Sequence, residues 1–292
     1  MLGPTRAKII LILALVVTLG ISCSTMQPTK APRQPKIALV LGGGAAKGFA
    51  HVGVIRVLEQ EKIPIHMIVG TSVGSLIGGL YAANPNSFDL EWLAFKIDRS
   101  DILDFSIVYS KLGPVQGTKL EGFIEHNVKT NKVENTKIPF TPVATDLNTG
   151  ETILLERGSL AKAIRASSSI PGIFVPVNFD SRVLVDGGVT NNVPCDIAKA
   201  KGADIVIAVN LQKDVRNQAA AESLIDIIGQ SISVMMRESS RSKLAHADVV
   251  IEPDTKGVSM FDFTQKKRLM EDGIKATREA MPRIRALIAS YQ

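Results

Sequence analysis

Ile37-Ala38-Leu39-Val40-Leu41, followed at once by Gly42-Gly43-Gly44-Ala45-Ala46-Lys47-Gly48 and then by Ala50 to Glu61, decides how this chain folds. Five consecutive apolar residues ending in glycines are the pattern of a strand buried on both faces, as in a parallel or mixed sheet covered by helices. Between Ala50 and Glu61 the apolar residues Val54, Ile55, Val57 and Leu58 fall at helical spacing. A strand, a glycine turn and a helix therefore follow one another. The unit recurs, with His66 to Val69 as strand, Gly70 to Gly74 as turn and Ser75 to Ala83 as a helix of small residues. Ile205 to Val209 and Val249 to Ile251 read as further buried strands. This alternation predicts an α/β fold on a layered sheet.

The flanking segments differ in kind. Arg6 and Lys8 precede an apolar run from Ile9 to Leu19, which ends in Gly20-Ile21-Ser22-Cys23. A membrane-spanning helix needs roughly 20 apolar residues, so this shorter run reads as a signal peptide. Residues 1–22 resemble a bacterial lipoprotein signal, with Cys23 as the lipidated first mature residue. That implies a membrane-anchored lipoprotein of the cell envelope, and Ser24 after Cys23 favours the periplasmic side of the outer membrane. Residues 23–35, with Pro28, Pro32 and Pro35 among polar residues, read as a flexible tether.

The folded domain is expected over 36–211. A C-terminal helical segment, 212–292, would pack on the same domain: Leu224, Ile227, Ile228, Ile232 and Met235 share one stripe, and a second helix runs from Thr264 to Tyr291. With 45% hydrophobic and 21% charged residues over 292 positions, the chain is neither disordered nor polytopic. Its two cysteines leave Cys195 without a partner if Cys23 carries lipid, so Cys195 reads as a small buried hydrophobe. The net charge of +6 is scattered, and Lys266-Lys267-Arg268 lacks the interleaved aromatics of a nucleic-acid site. No metal or cofactor is implied, and the sequence assigns no oligomeric state.

Gly70-Thr71-Ser72-Val73-Gly74 lies where a buried strand turns into a helix, the setting in which Gly-X-Ser-X-Gly has mechanistic meaning. The pattern alone is weak, since about one chain in ten of this length shows it by chance. Ser72 as a plain helix N-cap is the alternative. A nucleophilic serine needs a base. The four histidines serve poorly: His51 and His66 precede the serine, only His126 and His246 follow it, neither in a turn-like, glycine-rich setting, and a Ser-acid-His order would require His246. Asp186 is the better candidate. It ends the apolar run Val183-Leu184-Val185 and is followed by Gly187 and Gly188, although an ordinary Asp-Gly turn reads the same way. The loop from Gly42 to Gly48 fails the P-loop and dinucleotide patterns, because Phe49 and Ala50 follow Gly48 and Lys47 stands at the last glycine of the fingerprint. It suits an oxyanion hole instead, with the amides of Gly43, Gly44 and Val73 as donors and Lys47 fixing the loop.

These motifs in this order resemble the patatin-like phospholipase family, specifically its bacterial branch related to neuropathy target esterase. Ala144 to Glu151, Ala163 to Pro171 and Asn191 to Pro194 extend the likeness, which covers roughly Lys36 to Leu211. The resemblance implies a three-layer α/β/α fold with a central, mostly parallel sheet. It also implies a Ser72–Asp186 dyad without histidine, and a phospholipid or lysophospholipid substrate met at the membrane surface. An esterase for small soluble esters and a non-catalytic lipid-anchored binding factor are the alternatives. Phe95 to Ile124, rich in Phe, Ile and Leu, reads as core, or as the lining or lid of an acyl pocket.

Overall fold

The computed structural model describes residues 33–104, 113–213 and 224–291, so the signal peptide, Cys23 and most of the tether lie outside the described residues. Residues 35–290 form one compact unit. In chain order its elements are β1 (Ile37–Leu41), α1 (Phe49–Gln60), β2 (Met67–Thr71), α2 (Val73–Ala83), α3 (Ser87–Lys96), the single turn α4 (Arg99–Ile102), α5 (Thr118–Asn127), β3 (Phe140–Asp146) and β4 (Thr152–Leu154). Then come α6 (Leu160–Ser167), β5 (Val177–Phe179), β6 (Arg182–Asp186), α7 (Cys195–Ala200), β7 (Ile205–Val209), α8 (Leu224–Arg241), β8 (Val249–Ile251) and α9 (Lys266–Ala289).

The sheet has the order β5-β6-β3-β2-β1-β7-β8, with β4 also paired to β3. The run from β3 to β8 is parallel, and β6, β5 and β4 add antiparallel pairs. β1 lies at the centre, flanked by β2 and β7, which is why all five of its residues are apolar and buried. Ala38, Val40, Val69, Val143, Val206 and Ala208 pack on one face against Val193, Cys195 and Ala198 of the α7 region. Cys195 is thus a core residue, its thiol pushed up to about 12 by burial. On the opposite face Leu41 and Ile68 meet α2 at Gly78, where an added Cβ would stand 2.9 Å from Ile68 Cγ2. The three layers expected from the sequence are present.

In the C-terminal segment the expected strand at Val249 to Ile251 is present, as β8 beside β7. The buried side of α8 is rotated from the expected stripe: Ile232, Ser233, Met236 and Ser240 face inward, while Ile227 is 53% exposed. Small and polar residues on the inward side weaken the apolar periodicity there, because α8 covers loops rather than a flat sheet. α9 lies close along α1. A Cβ at Gly53 would run into the Met270 carbonyl, and one at Gly273 into the Ala50 carbonyl.

Candidate active site

Ser72 occupies the turn from β2 into α2 with φ 56° and ψ −126°. A non-glycine residue held there costs on the order of 1–3 kcal/mol, a strain concentrated at functional sites. The flanking glycines make the turn possible. An added Cβ at Gly70 would stand 2.6 Å from the Gly74 carbonyl oxygen, and one at Gly74 would collide with the Leu41 carbonyl. The Ser72 N–H donates to Ser167 Oγ at 3.0 Å, and Ser167 Oγ donates to the Val143 carbonyl. The buried Ser72 is no side-chain N-cap: it makes no capping hydrogen bond to α2.

Strand register brings Asp186 to the same level. Thr71 pairs with Val143, and the next β3 residue, Ala144, pairs with Asp186 on the other side. Gly187 lets the following turn pass over β3, since a Cβ there would run into the Val143 carbonyl. Asp186 is buried; its Oδ1 accepts the Gly188 N–H at 2.7 Å, and its Oδ2 has no hydrogen-bond partner. Burial pushes the carboxyl up to about 7, while the neighbouring Ser72 hydroxyl and the Gly188 N–H pull it down. A carboxyl poised near neutrality with one free oxygen suits proton transfer.

The glycine loop closes over Ser72: a Cβ on Gly43 would stand 3.1 Å from Ser72 Cβ. Gly43 does not present its amide as expected. Its N–H donates to Asn192 Oδ1 at 3.1 Å and to the Asn192 carbonyl at 3.3 Å, because the turn after Asp186 folds back beneath the loop. Among the described residues no partner is recorded for the N–H groups of Gly44 and Val73. Gly42 is anchored by His51, whose Nε2 donates to its carbonyl at 2.8 Å; burial holds the imidazole near 4, hence neutral. Lys47 is fully buried, with its ammonium 3.4 Å from Gln212 Oε1, and desolvation lowers it to about 8. Gly48 leaves room for the Val73 side chain.

Four supporting residues escaped the sequence reading. Ser167 holds the Ser72 amide, His51 the Gly42 carbonyl, and Asn192 the Gly43 amide; Ser240 of α8 accepts from Asn192 Nδ2 at 3.2 Å. Each acts on backbone or through another side chain. Ser167 and Asn192 fall in the segments Ala163 to Pro171 and Asn191 to Pro194 that carry the family likeness, but without a role assigned to them, and nothing in the sequence singled out His51 or Ser240. The other histidines stand aside: His126 and His246 are exposed, and His66 Nδ1 accepts the Ile37 N–H.

An apolar pocket, partly open to solvent, has Ser72 in its wall. Val73, Leu76, Leu80, Leu90, Leu93, Ile170 and Phe174 line it, together with Ile97, Ile102, Leu103, Leu120 and Phe123. Within Phe95 to Ile124, Ile97, Ile102, Leu103, Leu120 and Phe123 are therefore pocket wall, Phe95 itself is exposed, and residues 105–112 lie outside the described residues. Among the described residues no cluster of three His, Cys, Asp or Glu could hold a metal ion.

The family model described as patatin-like phospholipase matches residues 39–199. Similar chains include an uncharacterized NTE family protein of Mycobacterium tuberculosis, 34% identical over 219 residues, covering 72% of this chain and 60% of the relative. Human patatin-like phospholipase domain-containing protein 6 is 34% identical over 181 residues, covering 60% of this chain and 13% of the relative. The match thus spans about 60% of the mycobacterial relatives' length and far less of the animal one. Among solved structures, VipD from Legionella pneumophila shares the fold with a TM-score of 0.55 at 15% identity, over 89% of this chain and 67% of that one.

Proposed function

Since this chain belongs to the patatin-like phospholipase family, we propose that it is a serine acyl hydrolase cleaving fatty-acyl esters of phospholipids or lysophospholipids through a Ser72–Asp186 dyad. The observation that carries this reading is the strained Ser72 in the wall of an apolar pocket, level with a buried carboxyl titrating near 7. Ionised Asp186 takes the Ser72 proton as Oγ attacks the ester carbonyl. The Gly44 and Val73 amides hold the oxyanion, each donor contributing on the order of 3 kcal/mol. Gly43 acts one step back, fixing the loop through Asn192. Collapse of the tetrahedral adduct expels the alcohol, which takes the proton from Asp186. Asp186 then activates the water that releases the fatty acid and restores Ser72.

The pocket favours a long acyl chain over a small soluble ester, because its walls are almost wholly apolar. Lipidation at Cys23 would hold the enzyme at the periplasmic side of the outer membrane, with 23–35 as tether and 36–211 as catalytic domain. Fluorophosphonate labelling tests the dyad. Wild type is expected to label and to turn over phospholipid. Labelling that persists in Ser72→Ala, or turnover that survives in Asp186→Asn, would sink it.

A further inference from the structure

The helix that walls the pocket has a second, exposed apolar face. On α3, Phe88, Trp92 and Phe95 recur at intervals of four and three residues and are 75%, 59% and 43% exposed. That spacing puts them on one side of the helix. The opposite side carries Leu90 and Ala94, which line the pocket beside Ser72. A surface groove bordered by Trp92 and Lys96 shares Leu80, Leu90 and Leu93 with the pocket, so one layer of side chains separates the outer face from the acyl-binding space.

The polar surroundings fit a bilayer better than an acidic or basic partner. Lys96 stacks its ammonium 4.7 Å over the Trp92 ring. The acids beside the aromatics are engaged within the protein: Asp89 accepts from Asn84 Nδ2, and Glu91 pairs with Arg56. Exposed Trp and Phe flanked by a lysine that can reach outward are the side chains favoured at the boundary between headgroups and acyl chains.

We propose that the Phe88, Trp92 and Phe95 face of α3 is the membrane-docking surface, inserting at the acyl border of a phospholipid bilayer so that the groove at Trp92 delivers an acyl chain to the pocket. The proposal rests on reading the pocket as an acyl site. The insertion is apolar, so binding is expected to occur on zwitterionic lipid and to resist salt.

Trp92 is the chain's only tryptophan and reports on the face directly. The full chain carrying Ser72→Ala is mixed with phosphatidylcholine vesicles containing brominated acyl chains. Trp92 emission should move to shorter wavelength and be quenched by the bromines. Unchanged emission from protein that sediments with the vesicles would overturn the proposal, because docking would then lie elsewhere. A shift seen without lipid, alongside concentration-dependent dimerisation, would assign the face to a second copy and equally overturn it. In the otherwise wild-type chain, Phe88→Ser with Phe95→Ser should lower turnover of vesicle lipid about tenfold or more while leaving turnover of a soluble short-chain ester unchanged. Equal loss on both substrates would also refute it. If neither substrate is hydrolysed by wild type, the proposed function fails while the Trp92 measurement still decides docking.

Discussion

Replacing Asp186 with Asn should make the protein more stable and less active, and the gain should depend on pH. In the fold the carboxyl titrates near 7 rather than at its ordinary 3.8, because burial disfavours its charged form. Each tenfold in proton affinity is worth about 1.4 kcal/mol, so holding the carboxylate ionised costs the fold at most on the order of 4 kcal/mol. The sign follows from proton binding. The folded state holds its proton more tightly than the unfolded state, so this site destabilises the fold progressively as pH rises from about 4 to about 7, and by a constant amount above that. Asn keeps the acceptor for the Gly188 N–H and removes the titration. Urea unfolding followed by circular dichroism at pH 5, 6, 7 and 8 should show the advantage of Asp186→Asn growing and then levelling. A difference that stays flat with pH, or a variant less stable than wild type at pH 8, would refute the reasoning. The same group predicts that wild-type kcat/KM climbs through pH 7 as Asp186 loses its proton.

Ser72→Gly should abolish turnover and yet raise stability by about 1 kcal/mol, since glycine holds φ 56° without strain; thermal denaturation beside a labelling assay checks both. Gly53→Ala and Gly273→Ala should each destabilise by about 2 kcal/mol or more in urea unfolding, because the new methyl meets backbone of the facing helix. Neither should move the pH dependence of any remaining activity. Asn192→Ala frees the Gly43 amide and should lower kcat about tenfold or more with KM little changed, as steady-state kinetics on a soluble ester would show.

The central strands were legible because each is an apolar run closed by glycine or a polar turn, and β1, β2, β7 and β8 stand where those runs lie. β3 was not legible as a strand. Thr141, Pro142 and Thr145 break its apolar pattern, and their burial is explained only by partners distant in sequence: Glu156 accepts from the Thr141 hydroxyl, and Thr190 pairs with Thr145. The same limit applied at the site. Ser72, Asp186 and the glycine loop are spelled out in contiguous motifs, whereas the loss of the Gly43 amide to Asn192 depends on a turn 149 residues away. The outward aromatics of α3 were equally hidden, because Phe88, Trp92 and Phe95 alternate with apolar residues such as Leu90 and Leu93, and nothing in the sequence says which side faces solvent.

The seating of α9 in the backbone groove of α1 has a consequence for the order of events during synthesis. Gly53 lies in α1, the helix that follows the glycine loop, and the late residues Met270 and Gly273 pack on that helix while Met236 and Ser240 stand beside Gly43 and Asn192; all four belong to the last quarter of the chain. The stretch recognised by the family model, 39–199, ends before all of them. A growing polypeptide therefore carries every one of these motifs before it carries the helices that pack against them.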